Sequence, residues 1–153
     1  MDERRSPGIQ RNVRRPVLAW VYLIRVHWRI VRGLQGVLAN HGLTHPQFVL
    51  LLQLINEPGL SQQVLADRLD VTKGNISGMI ERLECAGLVE RRGDPDDKRS
   101  YQLYATDAGY AAFEAAAPAM DNEVAQKFSV LTDEEQTTLL NLLARLDRQL
   151  RKE

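Results

Sequence analysis

The sequence predicts a mainly α fold with one small β-hairpin, and three observations lead there. Apolar residues recur at steps of three and four over most of the chain, the period of helices that bury one face. A Ser or Thr stands ahead of most of these runs, where its oxygen can hold free amides, and Gly or Pro-Gly closes several of them. Only between residues 88 and 105 does the alternation shorten to two, the period of a strand. With 153 residues, 44% hydrophobic and 26% charged, the chain has the proportions of one packed core, not of a disordered or collagenous polymer.

Residues 1–16 carry Arg4, Arg5, Arg11, Arg14 and Arg15 among Pro, Gly, Ser and Asn with no apolar period, which predicts a flexible basic arm. Val17, Val21, Ile24, Trp28, Val31, Leu34 or Gln35, and Leu38 then mark a first helix, with Gly42 as its left-handed cap. Thr44 and Gln47 form a capping box for a second helix with Pro46 in its first turn and Phe48, Leu51, Leu52 and Ile55 as its buried face. After Pro58-Gly59, Ser61 caps a third, short helix whose Val64, Leu65 and Leu69 point inward. Thr72 caps a fourth, over residues 73–86, with Ile76, Met79, Ile80 and Leu83 on one side and Gly87 at its end. Strands over 88–92 and 101–105 flank a polar turn at 93–100. A long Ala-rich helix follows from Thr106 and Asp107 to about residue 130, kinked at Pro118. A second capping box, Thr132 with Glu135, opens a last helix bearing Leu139, Leu142 or Leu143, Leu146 and Leu150, a stripe that needs a partner.

The third and fourth helices, joined by a four-residue turn at 70–73, have the order of a helix-turn-helix, and the hairpin behind them is placed as a wing. Lys73, Gly74, Asn75, Ser77 and Gly78 crowd the exposed start of the fourth helix. Each glycine costs about 1 kcal/mol against Ala in a helix interior, which makes sense if a groove wall or phosphate must approach the backbone. A helix entering a major groove N-terminus first brings its positive dipole end forward. Asn75 suits an adenine edge, Lys73 a guanine or phosphate, and Ser77 either. At the hairpin turn, Lys98 and Arg99 can reach a minor groove, with Asp96 or Asp97 close enough to hold the guanidinium. The plainer alternatives are a surface helix with two tolerated glycines and a solvated turn.

The stretches RLECAGLVERR, DPDDKRS and TDAG, with GLTHPQF at the second helix, stand at the spacing of one family. Over about residues 17–150 the chain resembles the MarR family of bacterial transcriptional regulators. The resemblance implies a winged helix-turn-helix with N- and C-terminal dimerisation helices, divided as an arm at 1–16, a dimerisation region at 17–43 and 107–153, and a DNA-binding lobe at 44–106. It implies a homodimer on a pseudo-palindromic operator in double-stranded DNA, in most cases a repressor. The family's recognition positions map onto Lys73, Asn75, Ser77 and Gly78, its wing arginine onto Arg99 and the acidic partner onto Asp97; Lys98 lies beside them and Arg82 suits a phosphate. Ala105 departs from the family, which usually carries Leu there, and should loosen strand packing slightly. Members commonly release DNA when a small phenolic or anionic effector binds between the dimer helices and the lobe. Arg25, Trp28, Arg29, Arg32 and His45 fall in that region. Arg25, Arg29 and Arg32 form one stripe, which equally suits a solvated basic face or inter-subunit salt bridges.

Other chemistries have little support. His41 and His45 are four apart but separated by a helix break, so no metal site or cofactor is expected. Cys85, the one cysteine, makes no intrachain disulfide, fits a reducing cytoplasm, and sits beside Glu81 and Glu84, which disfavour a reactive thiolate. Apolar runs at 17–24 and 48–55 are too short to cross a membrane, and no small-residue cleavage site follows the first, which argues against a signal peptide. With no phosphate loop, nucleophile elbow or Cys/His arrangement, an enzyme is not expected. A winged fold that binds only protein is the remaining alternative. The net charge of zero, twenty Lys+Arg against twenty Asp+Glu, disfavours a chain that coats itself in nucleic acid. That zero is unevenly spread: residues 1–60 hold eight cations against three anions, residues 61–103 seven against eight, and residues 104–153 five against nine.

Overall fold

The computed structural model describes residues 14–93 and 101–151. Among them the order is α1 (Arg15–Ala39), α2 (His45–Asn56), β1 (Leu60–Ser61), α3 (Gln62–Leu69), α4 (Lys73–Cys85), β2 (Val89–Gly93), β3 (Tyr101–Ala105), α5 (Asp107–Phe128) and α6 (Asp133–Leu150). Each of five helices begins where a hydroxyl accepts a backbone amide three residues on: Thr44 from Gln47, Ser61 from Val64, Thr72 from Asn75, Thr106 from Gly109 and Thr132 from Glu135. Such caps stabilise by about 1 kcal/mol each. Both expected capping boxes are present.

The core lies where α1, α2, α4 and α5 meet the sheet. Leu38, Phe48, Leu51, Leu54, Leu65, Ile76, Ile80, Leu83 and Leu103 are fully buried, each such side chain contributing about 1.5–3 kcal/mol. Phe48 of α2 stacks on Phe113 of α5 with ring centroids 4.7 Å apart, which ties the lobe to the long helix. The sheet has the antiparallel order β1-β3-β2, with Leu60 and Arg91 both opposite Leu103.

Several local expectations shift. The two-residue β1 carries no periodic signal and exists because Leu60 and Ser61 pair with Leu103 and Gln102. In α2 it is Leu50 and Leu54 that join Phe48 and Leu51 in the core, while Leu52 and Ile55 are half-buried. The helix is covered by α1, α5 and β3 together, so its buried arc is wide and rotated from the simple stripe. In α3 the inward residues are Leu65 and Ala66; Val64 is exposed and Leu69 half-buried. The turn between α3 and α4 has three residues, 70–72, with Asp70 in the left-handed region at φ 50° and Val71 N–H returning to the Ala66 carbonyl at 3.0 Å. α1 stops at Ala39, and Gly42, at φ 70°, lies three residues further on, where Leu43 N–H closes back on the Leu38 carbonyl. Pro118 is inside α5, which runs to Phe128.

One junction sets the geometry of the whole lobe. α4 ends in a Schellman closure: Gly87 takes φ 71°, its N–H bonds the Glu84 carbonyl at 2.8 Å, and Leu88 N–H bonds the Leu83 carbonyl at 2.9 Å. Leu88, expected in the strand, serves this turn, and β2 begins one residue later. From the far end of the hairpin Thr106 returns to the same turn. Its N–H donates to the Leu88 carbonyl at 3.1 Å, and its hydroxyl donates to the Gly87 carbonyl at 2.6 Å while accepting from Gly109 N–H at 3.1 Å. Gly109 is buried against Leu88, and a Cβ built there would run into the Leu88 carbonyl oxygen and meet Leu51. Overpacking against backbone costs about 1–3 kcal/mol. Gly109→Ala is therefore expected to lower the unfolding free energy by about 2 kcal/mol or more in urea titrations; a variant as stable as the parent would show that α5 can move off this turn.

Candidate nucleic-acid interface

The start of α4 stands clear of the body. Ile76, Met79, Ile80 and Leu83 anchor the helix from behind, and Lys73, Gly74, Asn75 and Arg82 are exposed. A Cβ on Gly74 would meet nothing within 4 Å, so the backbone there is open to approach. Gly78 is half-buried under the Arg82 guanidinium, whose nitrogens would lie 3.8 and 3.9 Å from a Cβ at Gly78. Ser77 differs from its neighbours: it is half-buried, and its Oγ accepts from Gln62 Nε2 at 2.5 Å. Sequence reasoning missed Gln62, because no periodic pattern links it to a residue fifteen positions on.

Local partners decide which cations remain available. Arg91 pairs with Glu84 at 3.1 Å. Arg92 pairs with Glu90 and lies over the Tyr104 ring, 4.2 Å from its centroid, so the base of the hairpin is internally neutralised. Among the described residues Lys73 and Arg82 form no ion pair. Asp97, Lys98 and Arg99, the expected wing residues, lie outside the described residues, as do Arg4, Arg5 and Arg11.

Beside this face an open groove of about 670 Å³ separates the start of α2 from α4. Thr44, His45, Pro46, Val49, Val71 and Met79 form much of its wall, and Gly74, Asn75, Gly78 and Arg82 complete it. Of the five residues expected to meet a small molecule, only His45 lines it. Arg25, Trp28, Arg29 and Arg32 are exposed on α1, with Arg25 over the Tyr22 ring at 5.3 Å. Along α1 the three arginines lie opposite the inward Ile30, Leu34 and Leu38, so they project away from the lobe. Cys85 closes α4 and is exposed.

These elements together define a winged helix-turn-helix, and the comparisons with known proteins agree. A family profile described as MarR family matches residues 43–101. The putative transcriptional regulatory protein for the hcr operon of Thauera aromatica is 34% identical over 113 residues, 74% of this chain and 68% of that protein. The transcriptional regulator TtmR of Methylorubrum extorquens is 38% identical over 78 residues, 51% of this chain, and the match spans 40% of TtmR. The repressor CouR, solved on a 23-mer DNA duplex, superposes with a TM-score of 0.78 at 30% identity over 82% of this chain and 89% of its own. Bordetella bronchiseptica BpsR, whose DNA binding is regulated by 6-hydroxynicotinic acid, gives 0.78 at 25% over 85% and 98%. Fold and relatives thus define a regulator of transcription. The chain belongs to the MarR family.

His45 provides a pH test of the groove. Burial, and secondarily the nearby His27, hold its pKa below the ordinary 6.5. The unfolded chain then takes up this proton first, so the contribution of His45 to stability is complete above 6.5 and is lost as pH falls from there through the lowered folded-state value. Thermal melts from about pH 7.5 to about pH 5 should decline less steeply for His45→Gln than for the parent; parallel declines would count against a buried neutral imidazole.

Proposed function

We propose that this chain is a homodimeric, ligand-responsive repressor that binds a pseudo-palindromic operator in duplex DNA. The observation that carries the reading is the exposed first half of α4, where Lys73, the open backbone at Gly74 and Asn75 face outward from a helix anchored behind by four buried side chains. In a major groove Asn75 meets base edges, and Lys73 and Arg82 meet phosphates or guanine. Lys98 and Arg99 serve the adjacent minor groove, with Asp97 orienting the guanidinium. Residues 44–106 act as the DNA-binding lobe and residues 17–43 and 107–153 as the dimerisation region; the basic arm, expected over 1–16, is shorter, because α1 already begins at Arg15 with Pro16 in its first turn. Such a regulator acts where the chromosome is, in the bacterial cytoplasm; among the described residues no helix is long and apolar enough to cross a membrane.

The helices outside the lobe support the dimer. No residue of α6 is buried, yet Leu140, Leu142, Leu143, Leu146 and Leu150 lie on it, 37–67% exposed. Trp20, Tyr22, Leu23 and Val26 of α1 are exposed as well. Apolar surface on that scale is stable in water when a second copy covers it. Two recognition helices would then stand about 34 Å apart, one duplex turn.

The groove beside α4 suits the effector: a small aromatic acid or phenol would place its ring on Pro46, Val49, Val71 and Met79 and its anionic group toward Arg82. Its wall includes Gly74, Asn75 and Arg82, so an occupant competes with DNA for the same residues. The Arg25, Arg29 and Arg32 stripe, projecting from the lobe, fits subunit contacts or a solvated face better than this groove.

A footprint on the promoter beside its own gene, with a salt titration, tests the reading. Log affinity should fall linearly with log salt, by about 0.9 per phosphate neutralised, and the footprint should shrink on adding aromatic acids; affinity indifferent to salt and sequence would refute it. Arg99→Ala is expected to cost about 1 kcal/mol or more of operator affinity, and Asn75→Ala to relax base preference at one position per half-site in selection from random duplexes. Leu143→Asp with Leu146→Asp should move the sedimentation mass from dimer to monomer, and a dimer that survives both would place the interface elsewhere.

A further inference from the structure

Ser77 lies two residues beyond Asn75, about 200° around α4, and the two flanks of the helix differ in what meets them. Gly74, Asn75, Gly78 and Arg82 line the open groove against α2; Ser77 does not. It is half-buried toward α3, where its Oγ lies 2.5 Å from Nε2 of Gln62. Among the described residues this is the one side-chain hydrogen bond that reaches α4 from another helix.

Gln62 is itself well fixed. It is the first residue of α3 and directly follows Leu60 and Ser61, which pair with Leu103 and Gln102 of β3. The helix it opens is capped by Ser61 Oγ on Val64 N–H at 3.3 Å. The segment it meets is weaker. Ser77 stands between Gly74 and Gly78, and glycine is the poorest helix former after proline. Behind this segment Ile76, Met79 and Ile80 are buried, but apolar contact has no direction of its own and tolerates a helix that rolls or slides. A hydrogen bond is directional and does not.

We propose that Gln62 and Ser77 form a clamp that fixes the glycine-weakened start of α4, and with it the angle at which Lys73 and Asn75 are presented to DNA. Both are positioning residues. Ser77, which the family resemblance places among the recognition positions, acts through Gln62 and not on a base. The clamp holds whichever partner supplies the proton, since hydroxyl and carboxamide each donate and accept. Because Gln62 directly follows β1, the clamp also ties α4 to the sheet that carries the wing. This role rests on the reading of α4 as the helix that enters a major groove, and it adds what holds the helix in place there.

Two measurements on the full-length chain test the clamp, each with the parent, Gln62→Met, Ser77→Ala and the double variant. In the DNA-free protein, amide hydrogen exchange at residues 76–79 should be about five-fold faster in every variant, the worth of one hydrogen bond, with residues 80–85 exchanging as in the parent. On the duplex that the parent enriches most from random sequence, each single variant should bind about five-fold more weakly and the double variant no more weakly than either, with the preferred base at every position unchanged. Affinities are read far below the melting temperature of every variant, so that a loss of global stability alone leaves them where they were. Unchanged exchange at 76–79, additive losses of affinity, or a preference relaxed at one base position by Ser77→Ala alone overturns the clamp and leaves DNA binding intact. Faster exchange with undiminished affinity overturns its role in presenting α4. A parent chain that enriches no sequence overturns the DNA-binding reading, and the functional role of the clamp with it.

Discussion

Thr106 meets the Gly87-Leu88 turn with two hydrogen bonds, and the rest of the lobe hangs on that meeting. Its hydroxyl and amide hold the two carbonyls of the turn, and the same oxygen caps the first turn of α5 through Gly109. The end of α4, the start of β2, the end of β3 and the start of α5 are thereby fixed within a few ångströms. The glycines are what make it possible: Gly87 adopts a left-handed φ that side chains resist, and Gly109 leaves room for the Leu88 carbonyl. The segments AGL and TDAG, nearly twenty residues apart, are two halves of one joint. Through it the helix that presents Lys73 and Asn75, the hairpin and the long helix outside the lobe share a frame, and the Phe48–Phe113 stack braces that frame from α2.

Charge is distributed by the same logic of local partners. The chain is neutral overall, and the lobe holds no excess of cations. Arg91 and Arg92, adjacent in β2, spend their charge on Glu84 and Glu90, and Arg92 also covers Tyr104. Among the described residues Lys73 and Arg82 face outward without such partners. A lobe of this kind has little long-range attraction for a polyanion, and recognition rests on where a few side chains point. Ser77 shows how far that goes: its position on α4 is what the sequence implies, but its hydroxyl is met by Gln62, a residue on another helix.

The outer helices follow a different rule. Leu34 and Leu38 at the C-terminal end of α1 are buried in the lobe, whereas Val17, Trp20, Val26 and Trp28 in its N-terminal half are exposed, although they continue the same apolar helix. α6 repeats the pattern in full, capped at Thr132 and strongly amphipathic, with no buried residue. Periodicity reports that a face is to be covered and carries no information about which body covers it. The arginines of α1 meet the same limit, because they lie opposite its inward face and do not line the groove that His45 lines.

By itself the sequence determined the elements and their ends. Hydroxyl caps, Gly and Pro punctuation and apolar spacing act within four or five residues, and at that range five helix starts, the hairpin strands, the anchoring face of α4 and the exposure of Lys73 and Asn75 were legible. Tertiary structure alone decided the rest. It made a strand of Leu60 and Ser61, which have no period of their own, turned α2 so that Leu50 and Leu54 face the core instead of Leu52 and Ile55, took Leu88 from the strand for a turn, joined Gln62 to Ser77, and parted His45 from the arginines. Each of those outcomes depends on a partner more than ten residues away or on an arc covered by several elements at once, and such partners leave no mark in the local pattern because any residue of suitable size and polarity could have met them there.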